Sequence, residues 1–367
     1  MASTHPSIPT LDLSGSPAQV GAAHGEAQRD RIREYAERFL DFVLSGAAVR
    51  VNEAELWARW APQVAVNRTL APALVEEMQG ISRGAGVPFE RVFLLNSLLD
   101  LNCFRYLKMA TAFPGCSTFA VVAEAGTGKT LVGQTYDMPE FHQEFVTLLR
   151  LKPAQGPRQL VFTFAGIVGA AGQNEAGLAV NINYLSALDV GLGRLHSVVV
   201  RQILAATQLA DALTFPVVPP RAGGAHFLVA DRSGSVVSIE TTGRRFAVAY
   251  PEGNAIGHTN HYLTRDLTEV ENIRAPSIGS SLARYSALRR FLRDRGDQLT
   301  TAGLMELTRN HTSYPRSICA HGASFEPAGS RARTVAAMVQ VPADGLMHIT
   351  KGCACEGTYH PVSLAAG

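Results

Sequence analysis

Residues 113–122 read Phe113-Pro114-Gly115-Cys116-Ser117-Thr118-Phe119-Ala120-Val121-Val122. A Pro-Gly turn closes one pattern and a cysteine opens another. Upstream, residues 17–46 carry Ile32, Ala36, Phe39, Leu40 and Val43 at helical spacing. Ser16 before Pro17 predicts a capped start, and Gly46 a stop. Further helices are expected near 72–84 and 88–108. Downstream, short apolar or period-two runs predict strands at 117–124, 130–137, 144–151, 159–166 and 177–184. A helix follows at 196–213, then strands at 225–232, 235–242 and 246–251. Helices near 280–295 and 301–310 precede closing strands at 334–341 and 346–352. Strand runs followed by helix runs predict layered α+β, not alternating βαβ units. No repeat or linker interrupts the pattern, so the helical first third is expected to pack on the strands.

Composition narrows the function classes. The chain has 367 residues, of which 46% are hydrophobic and 17% charged, which is globular and excludes a disordered chain or a coiled coil. A net charge of +2 creates no field favouring nucleic acid or an anionic membrane, so neither partner is expected. The apolar stretch 92–113 is broken by Asn96, Asp100, Asn102, Arg105 and Lys108 and reads as a buried helix, not a membrane span. The first 20 residues lack a basic region followed by an apolar one, so no secretory signal is expected. Five cysteines are too few and odd for a disulfide scaffold, which points to a reducing, cytoplasmic setting.

Two motifs invite chemistry and are outweighed. Residues 123–130, AEAGTGKT, approach a phosphate-binding loop, but a phosphate cradle needs a helix N-terminus after it. LVGQTYDMP follows instead, so Gly126–Gly128 is expected to be a hairpin turn. Cys319-Ala320-His321 and Cys353-Ala354-Cys355, with His360 nearby, offer zinc ligands. Paired cysteines in structural zinc sites are usually separated by two to four residues, against one here, so small buried thiols are expected and no metal site.

Cys116 carries a different prospect. Asp137 lies at the far end of the next strand, and a hairpin turning near 126–129 brings the two to the same end of the sheet. His258-Thr259-Asn260-His261 follows another strand, and Ser330-Arg331-Ala332-Arg333 precedes a third. A thiol needs a base or a depressed pKa to react near pH 7. If the chain were cut before Cys116, its own α-amine, titrating near 7.7–8.0, would be that base. The thiol could make the cut itself by attacking the Gly115 carbonyl, where no side chain blocks approach. His142, His226, His258 and His261 also suggest a Cys–His pair, but an α-amine base makes one unnecessary, and structural histidines are expected.

These residues resemble the isopenicillin-N acyltransferase (acyl-coenzyme A:6-aminopenicillanic acid acyltransferase)-like family of self-processing N-terminal-nucleophile (Ntn) cysteine enzymes. Gly115-Cys116-Ser117-Thr118 is similar to the family's cleavage site. Gly133-Gln134-Thr135-Tyr136-Asp137 resembles its Gly-Gln-Asn-Trp-Asp segment. Residues 165–181, His258-Thr259-Asn260-His261, Ser317-Ile318-Cys319 and Gly352-Cys353 are also similar. The resemblance implies a four-layer αββα sandwich with two stacked antiparallel sheets. It implies self-cleavage into a helical segment 1–115 and a catalytic chain 116–367 that remain paired. It makes Cys116 the nucleophile, Asp137 and Arg331 orienting and electrostatic residues, Asn260 an oxyanion donor and Ser330 a helper in processing, with Arg333 as the alternative arginine. Thr135, Tyr136, His258 and His261 become candidate substrate-binding residues. The expected partners are a small-molecule acyl donor and an amine or water acceptor, without a cofactor. The expected activity is that of an amidohydrolase or N-acyltransferase. The alternatives are an unprocessed, non-catalytic ligand-binding relative and a nucleotide-binding protein.

Overall fold

The computed structural model describes residues 8–46, 50–103, 115–273, 275–323 and 331–365. The chain begins with β1 (Thr10–Gly15), followed by α1 (Pro17–Ala27), α2 (Arg29–Gly46), α3 (Glu53–Trp60), α4 (Pro62–Leu70), α5 (Pro72–Ala85), α6 (Phe89–Asn96) and α7 (Asp100–Cys103). Strands then dominate: β2 (Ser117–Val121), β3 (Leu131–Pro139), β4 (Val146–Pro153), β5 (Gln159–Phe164), β6 (Ala171–Asn174) and β7 (Ala179–Leu185). After α8 (His196–Ala205) and α9 (Leu209–Val217) come β8 (Gly224–Ala230), β9 (Val236–Thr241), β10 (Phe246–Ala249) and β11 (Ala255–His258). The chain ends with α10 (Arg265–Thr268), α11 (Ala275–Arg295), α12 (Thr301–Leu307), β12 (Ala332–Val341), β13 (Leu346–Lys351) and β14 (His360–Ser363).

The strands form two sheets, ordered β1-β4-β5-β6-β7-β8-β9-β10 and β11-β2-β3-β12-β13-β14. Their facing surfaces pack Ala120 and Val132 of the smaller sheet against Ala179, Leu228, Ala230 and Val236 of the larger. Gln134 stitches them further, donating to the Ile182 carbonyl at 2.6 Å and accepting from its N–H at 3.2 Å. The period-two alternation sends Phe119 and Val121 to the other face, where they pack with Leu288 and Leu292 of α11 and Leu304 and Leu307 of α12. On the far side of the larger sheet, Val198, Ile203 and Leu204 of α8 join the main core. The result is helix, sheet, sheet, helix: the α+β, αββα order that the resemblance implies.

Several features depart from the sequence reading, among them the division of the expected helix 196–213 into α8 and α9 and the unexpected β14. β1 is an unexpected strand, and it pairs parallel with β4, so the larger sheet is not wholly antiparallel. The expected helix 17–46 breaks at Gln28 into α1 and α2. Of the expected helix 88–108, α6 and α7 are seen and 104–108 lies outside the described residues. The pair α3–α4 was not expected, although Asn52 and Glu55 form a capping box at its start. The turn at 124–129 is as expected: Glu124 N–H donates to Lys129 O, Gly128 N–H to Glu124 O, and a strand follows, not a helix. Among the described residues no helix is long and apolar enough to cross a membrane.

The N-terminal helices are bound to the sheets by buried polar contacts. Arg201 of α8 grips Glu77 of α5 at 2.7 and 3.0 Å, and both side chains are buried. Asn96 donates to Gly166 O and accepts from Val168 N–H. α1 and α5 approach backbone to backbone. A Cβ added to Gly21 would lie 2.0 Å from the Glu77 carbonyl oxygen, and one on Gly84 would lie 2.2 Å from the Ala22 oxygen. Both neighbours are backbone atoms and cannot swing away. Gly84→Ala is therefore expected to destabilise the protein by about 1–3 kcal/mol, as overpacking does. Thermal unfolding checks this: an unchanged Tm would show that the helices separate without cost.

Candidate active site

The β2–β3 hairpin pairs Ser117 with Thr135, so Cys116, just before β2, comes to lie beside the Tyr136–Asp137 end of β3. The expected meeting of thiol and carboxylate at one sheet end is observed. Both residues are buried. Burial, reinforced by the Asp137 charge, pushes the Cys116 thiol up to about 12, against the Asp137 N–H hydrogen bond and the Arg284 charge. Burial likewise pushes the Asp137 carboxyl up to about 7, against Arg284 and a hydrogen bond from Thr334. Thr334 Oγ1 donates to Asp137 Oδ1 at 2.6 Å, while Oδ2 is buried without a hydrogen-bond partner.

Arg284, on α11, organises the opposite wall. Its Nη1 donates to the Cys116 carbonyl at 2.7 Å and to Ser117 Oγ at 3.2 Å. Its Nη2 donates to Asn260 Oδ1 at 3.1 Å. Asn183 Nδ2 supplies a second donor to the Cys116 carbonyl at 2.8 Å. Asn260 donates from Nδ2 to the Tyr184 carbonyl at 2.9 Å, which leaves its second amide hydrogen for another acceptor. Gly115 is pressed against this wall: an added Cβ would lie 2.0 Å from both Arg284 Nη2 and Asn260 Oδ1. A larger residue before Cys116 would have to displace the Arg284 and Asn260 tips, which hold each other at 3.1 Å.

The histidines form a supporting frame. His258 is bonded through both ring nitrogens, to Glu240 Oε1 at 2.7 Å and the Thr259 carbonyl at 2.6 Å. It stacks on His226 with ring centroids 3.8 Å apart. His226 contacts Asn183 Oδ1 and Ser238 Oγ, both at 2.8 Å, and burial holds it far below the usual imidazole range. Ser281 Oγ, 2.8 Å from His261 Nδ1, accepts the Asn260 N–H at 2.8 Å. Burial, then the nearby His258 and Arg284 charges, lower His261 to about 4. His142 bonds Tyr35 at 2.7 Å in an aromatic cluster. Each histidine in the Cys–His comparison thus has a structural partner.

The remaining sequence candidates fall as follows. Thr135 and Tyr136 are buried in β3, with Tyr136 packed on Phe162 and Phe164. Arg331 abuts Gly322, and its carbonyl accepts the Glu140 N–H at 2.8 Å. Arg333 is engaged elsewhere, with Glu356 at 2.7 Å and the Cys353 sulfur at 3.1 Å. Ser330 lies outside the described residues. The arginine that meets Cys116 and Asn260 is Arg284, which the sequence reading missed. It lies in a helix with Arg289, Arg290, Arg293 and Arg295, and nothing local marks it as the buried one. Asn183 had a partial signal, as one of two amides, with Asn181, in the otherwise apolar strand run 177–184.

The family profile for acyl-coenzyme A:6-aminopenicillanic acid acyl-transferase matches residues 124–352, more than half of the chain. The chain belongs to this acyl-transferase family. It is 25% identical over 312 residues to the 40 kDa form of the acyl-coenzyme A:6-aminopenicillanic-acid-acyltransferase of Emericella nidulans, covering 84% of each chain. Among solved structures it is similar to the Caenorhabditis elegans ortholog of N-acylethanolamine-hydrolyzing acid amidase, with 15% identity, 62% of this chain and 93% of that one covered, and a TM-score of 0.42. Penicillin V acylase from Agrobacterium tumefaciens matches with 12% identity, 64% and 83% coverage and a TM-score of 0.39.

In this acyl-transferase family member the Arg284 charge opposes the upward push of burial on Asp137. Arg284→Gln is expected to move the Asp137 titration midpoint above its position near 7. NMR titration of labelled aspartate carboxyls reads this directly, and an unmoved midpoint would show that the guanidinium charge does not reach the carboxylate.

Proposed function

We propose that the chain cuts itself between Gly115 and Cys116, and that the freed Cys116 then hydrolyses or transfers the acyl group of an amide or thioester. The carrying observation is the confinement of one cysteine between a carboxyl titrating near 7 and the Arg284–Asn260 wall, with glycine pressed against that wall. Membership of the acyl-transferase family agrees with acyl-group chemistry.

In the uncut chain the thiol is neutral at pH 7 and needs a proton acceptor. Asp137 suits this, because a carboxyl titrating near the working pH can both take and return a proton. The thiol proton passes to Asp137, and Sγ bonds to the Gly115 carbonyl carbon. The C–N bond breaks, and the nitrogen of Cys116 takes the proton back. The resulting thioester is hydrolysed by water, leaving a carboxylate on Gly115 and a free α-amine on Cys116.

In turnover that amine takes the thiol proton, which removes the need for a histidine base. Sγ adds to the acyl carbonyl of the substrate, and the spare Asn260 hydrogen stabilises the oxyanion. Arg284 locks the Asn260 amide by holding Oδ1. The leaving amine or thiol departs with a proton, and the thioester then passes its acyl group to water or to an amine. No cofactor enters these steps. Segments 1–115 and 116–367 stay together after the cut through β1 pairing with β4 and the Glu77–Arg201 pair.

Intact mass under denaturing conditions tests the first step. Two chains are expected, the larger beginning at Cys116, and Cys116→Ala should give one uncut, inactive chain. Cleavage in that variant would sink the self-processing mechanism, and an uncut native chain would favour the ligand-binding alternative. Since the Asp137 carboxylate is populated above about pH 7, cleavage should slow as pH falls through 7, and Asp137→Asn, which removes the acceptor, should suppress cleavage at neutral pH. Asn260→Ala is expected to lower turnover by about 10²–10³; an unchanged kcat would remove Asn260 from the oxyanion role.

A further inference from the structure

Two segments bring four metal-binding side chains together: His311, Cys319 and His321 in the connection between α12 and β12, and Cys355 in the turn after β13. Their ligand atoms all lie within 4.8 Å of one another. The sulfurs of Cys319 and Cys355 are 3.6 Å apart, and His321 Nε2 is 3.2 Å from His311 Nε2. His321 Nε2 lies 3.7 Å from Cys319 Sγ and 3.3 Å from Cys355 Sγ.

Those separations match the edges of a tetrahedron around zinc. With Zn–S near 2.3 Å and Zn–N near 2.0–2.1 Å, the ideal edges are about 3.8 Å for S–S, about 3.3 Å for N–N and about 3.6 Å for S–N. The one-residue spacers of Cys319-Ala320-His321 and Cys353-Ala354-Cys355 argued against zinc because paired ligands usually come from one knuckle. Here each short segment gives one or two ligands, and the fold completes the set. Cys353 stands outside it: its thiol donates to the Ala320 carbonyl at 3.2 Å and accepts from Arg333 at 3.1 Å.

We propose that His311, Cys319, His321 and Cys355 form a structural site for a divalent zinc-like cation. Binding displaces one proton from each of the two thiols and uses neutral imidazoles, giving a charge-neutral Cys₂His₂ centre. Glu356 Oε1, 3.5 Å from His321 Nδ1, stands behind the ring as a carboxylate orienting a metal-bound histidine would. The soft and imidazole donor set favours zinc over magnesium or calcium.

The site would also brace the catalytic strand. Ala320, between two of the ligands, donates its N–H to Thr334 Oγ1 at 2.9 Å and accepts the Thr334 N–H at 3.0 Å. Thr334 in turn donates to Asp137. A metal clip would fix the segment that holds this hydroxyl, although the site stands whether or not Asp137 is catalytic.

The test is metal content of the purified full chain, reduced, stripped with a chelator, exposed to zinc alone and washed. About one zinc per chain is expected, with a Tm raised by about 5 °C or more over the stripped protein. Cobalt in place of zinc should give the intense visible bands of a tetrahedral thiolate site. His311→Ala and Cys355→Ser, both at exposed positions, should each lower zinc retention at least tenfold while circular dichroism stays native; Cys353→Ser should retain the metal. Failure of the native chain to retain zinc would overturn the proposal, as would unchanged retention in both ligand variants. A Cys319–Cys355 disulfide with no zinc uptake after reduction would also overturn it. If one ligand variant does not fold, the other and the cobalt spectrum still decide.

Discussion

The fully buried guanidinium of Arg284 is the contact on which the site depends. It joins the Cys116 carbonyl, the Ser117 hydroxyl and the Asn260 amide, three groups from one strand end and one loop. A buried cation is costly to strip of water and survives only where its donors are used. Here its burial is compensated by those acceptors, by Ser280 Oγ and by the Asp137 charge. The same geometry means that a side chain at position 115 would have to displace the tips of Arg284 and Asn260. One arginine therefore sets the place of the cysteine and the orientation of the asparagine, and it crowds the preceding residue.

Around that cation the electrostatics are opposed rather than additive. Burial alone makes both Cys116 and Asp137 prefer their neutral forms, and the Asp137 charge raises Cys116 further. Arg284 and the hydrogen bonds to sulfur and carboxylate pull back. The balance leaves Asp137 near the pH at which a carboxyl can exchange protons, with one oxygen held by Thr334 and the other unpartnered. The frame behind it is rigid: Glu240 holds His258, His258 stacks on His226, and His226 meets the same Asn183 that binds the Cys116 carbonyl. Glu240 stays ionised despite its burial because hydrogen bonds from His258 and from the Leu263 and Thr264 N–H groups outweigh it.

Much of this was readable before the fold was known. The change of period at Gly115-Cys116, the hairpin at 124–129 and the pairing of Cys116 with the Asp137 end of β3 follow from local pattern and turn chemistry. The false phosphate loop was rejected on the same ground, since a strand follows it. β1 is easily missed because its alternation rests on only two apolar residues, Leu11 and Leu13, and it is held as a strand by pairing with the edge of β4. α3 and α4 are short, and their capping box is a weaker sign than a long apolar stripe. Position along a motif points to Arg331, with Arg333 as the alternative, whereas the fold delivers Arg284 from a helix about 170 positions downstream of Cys116.

Local spacing specifies the period of each segment, the α+β class, the glycine–cysteine junction and the chemical types available to a site. These are local properties, carried by spacing within a dozen residues. The tertiary structure alone decided which of many arginines is buried, which amide faces Cys116, and that His311, Cys319, His321 and Cys355 converge. The physical reason is that burial and charge pairing depend on contacts between residues far apart in the chain, and a helix of five arginines reads alike until one of them is enclosed.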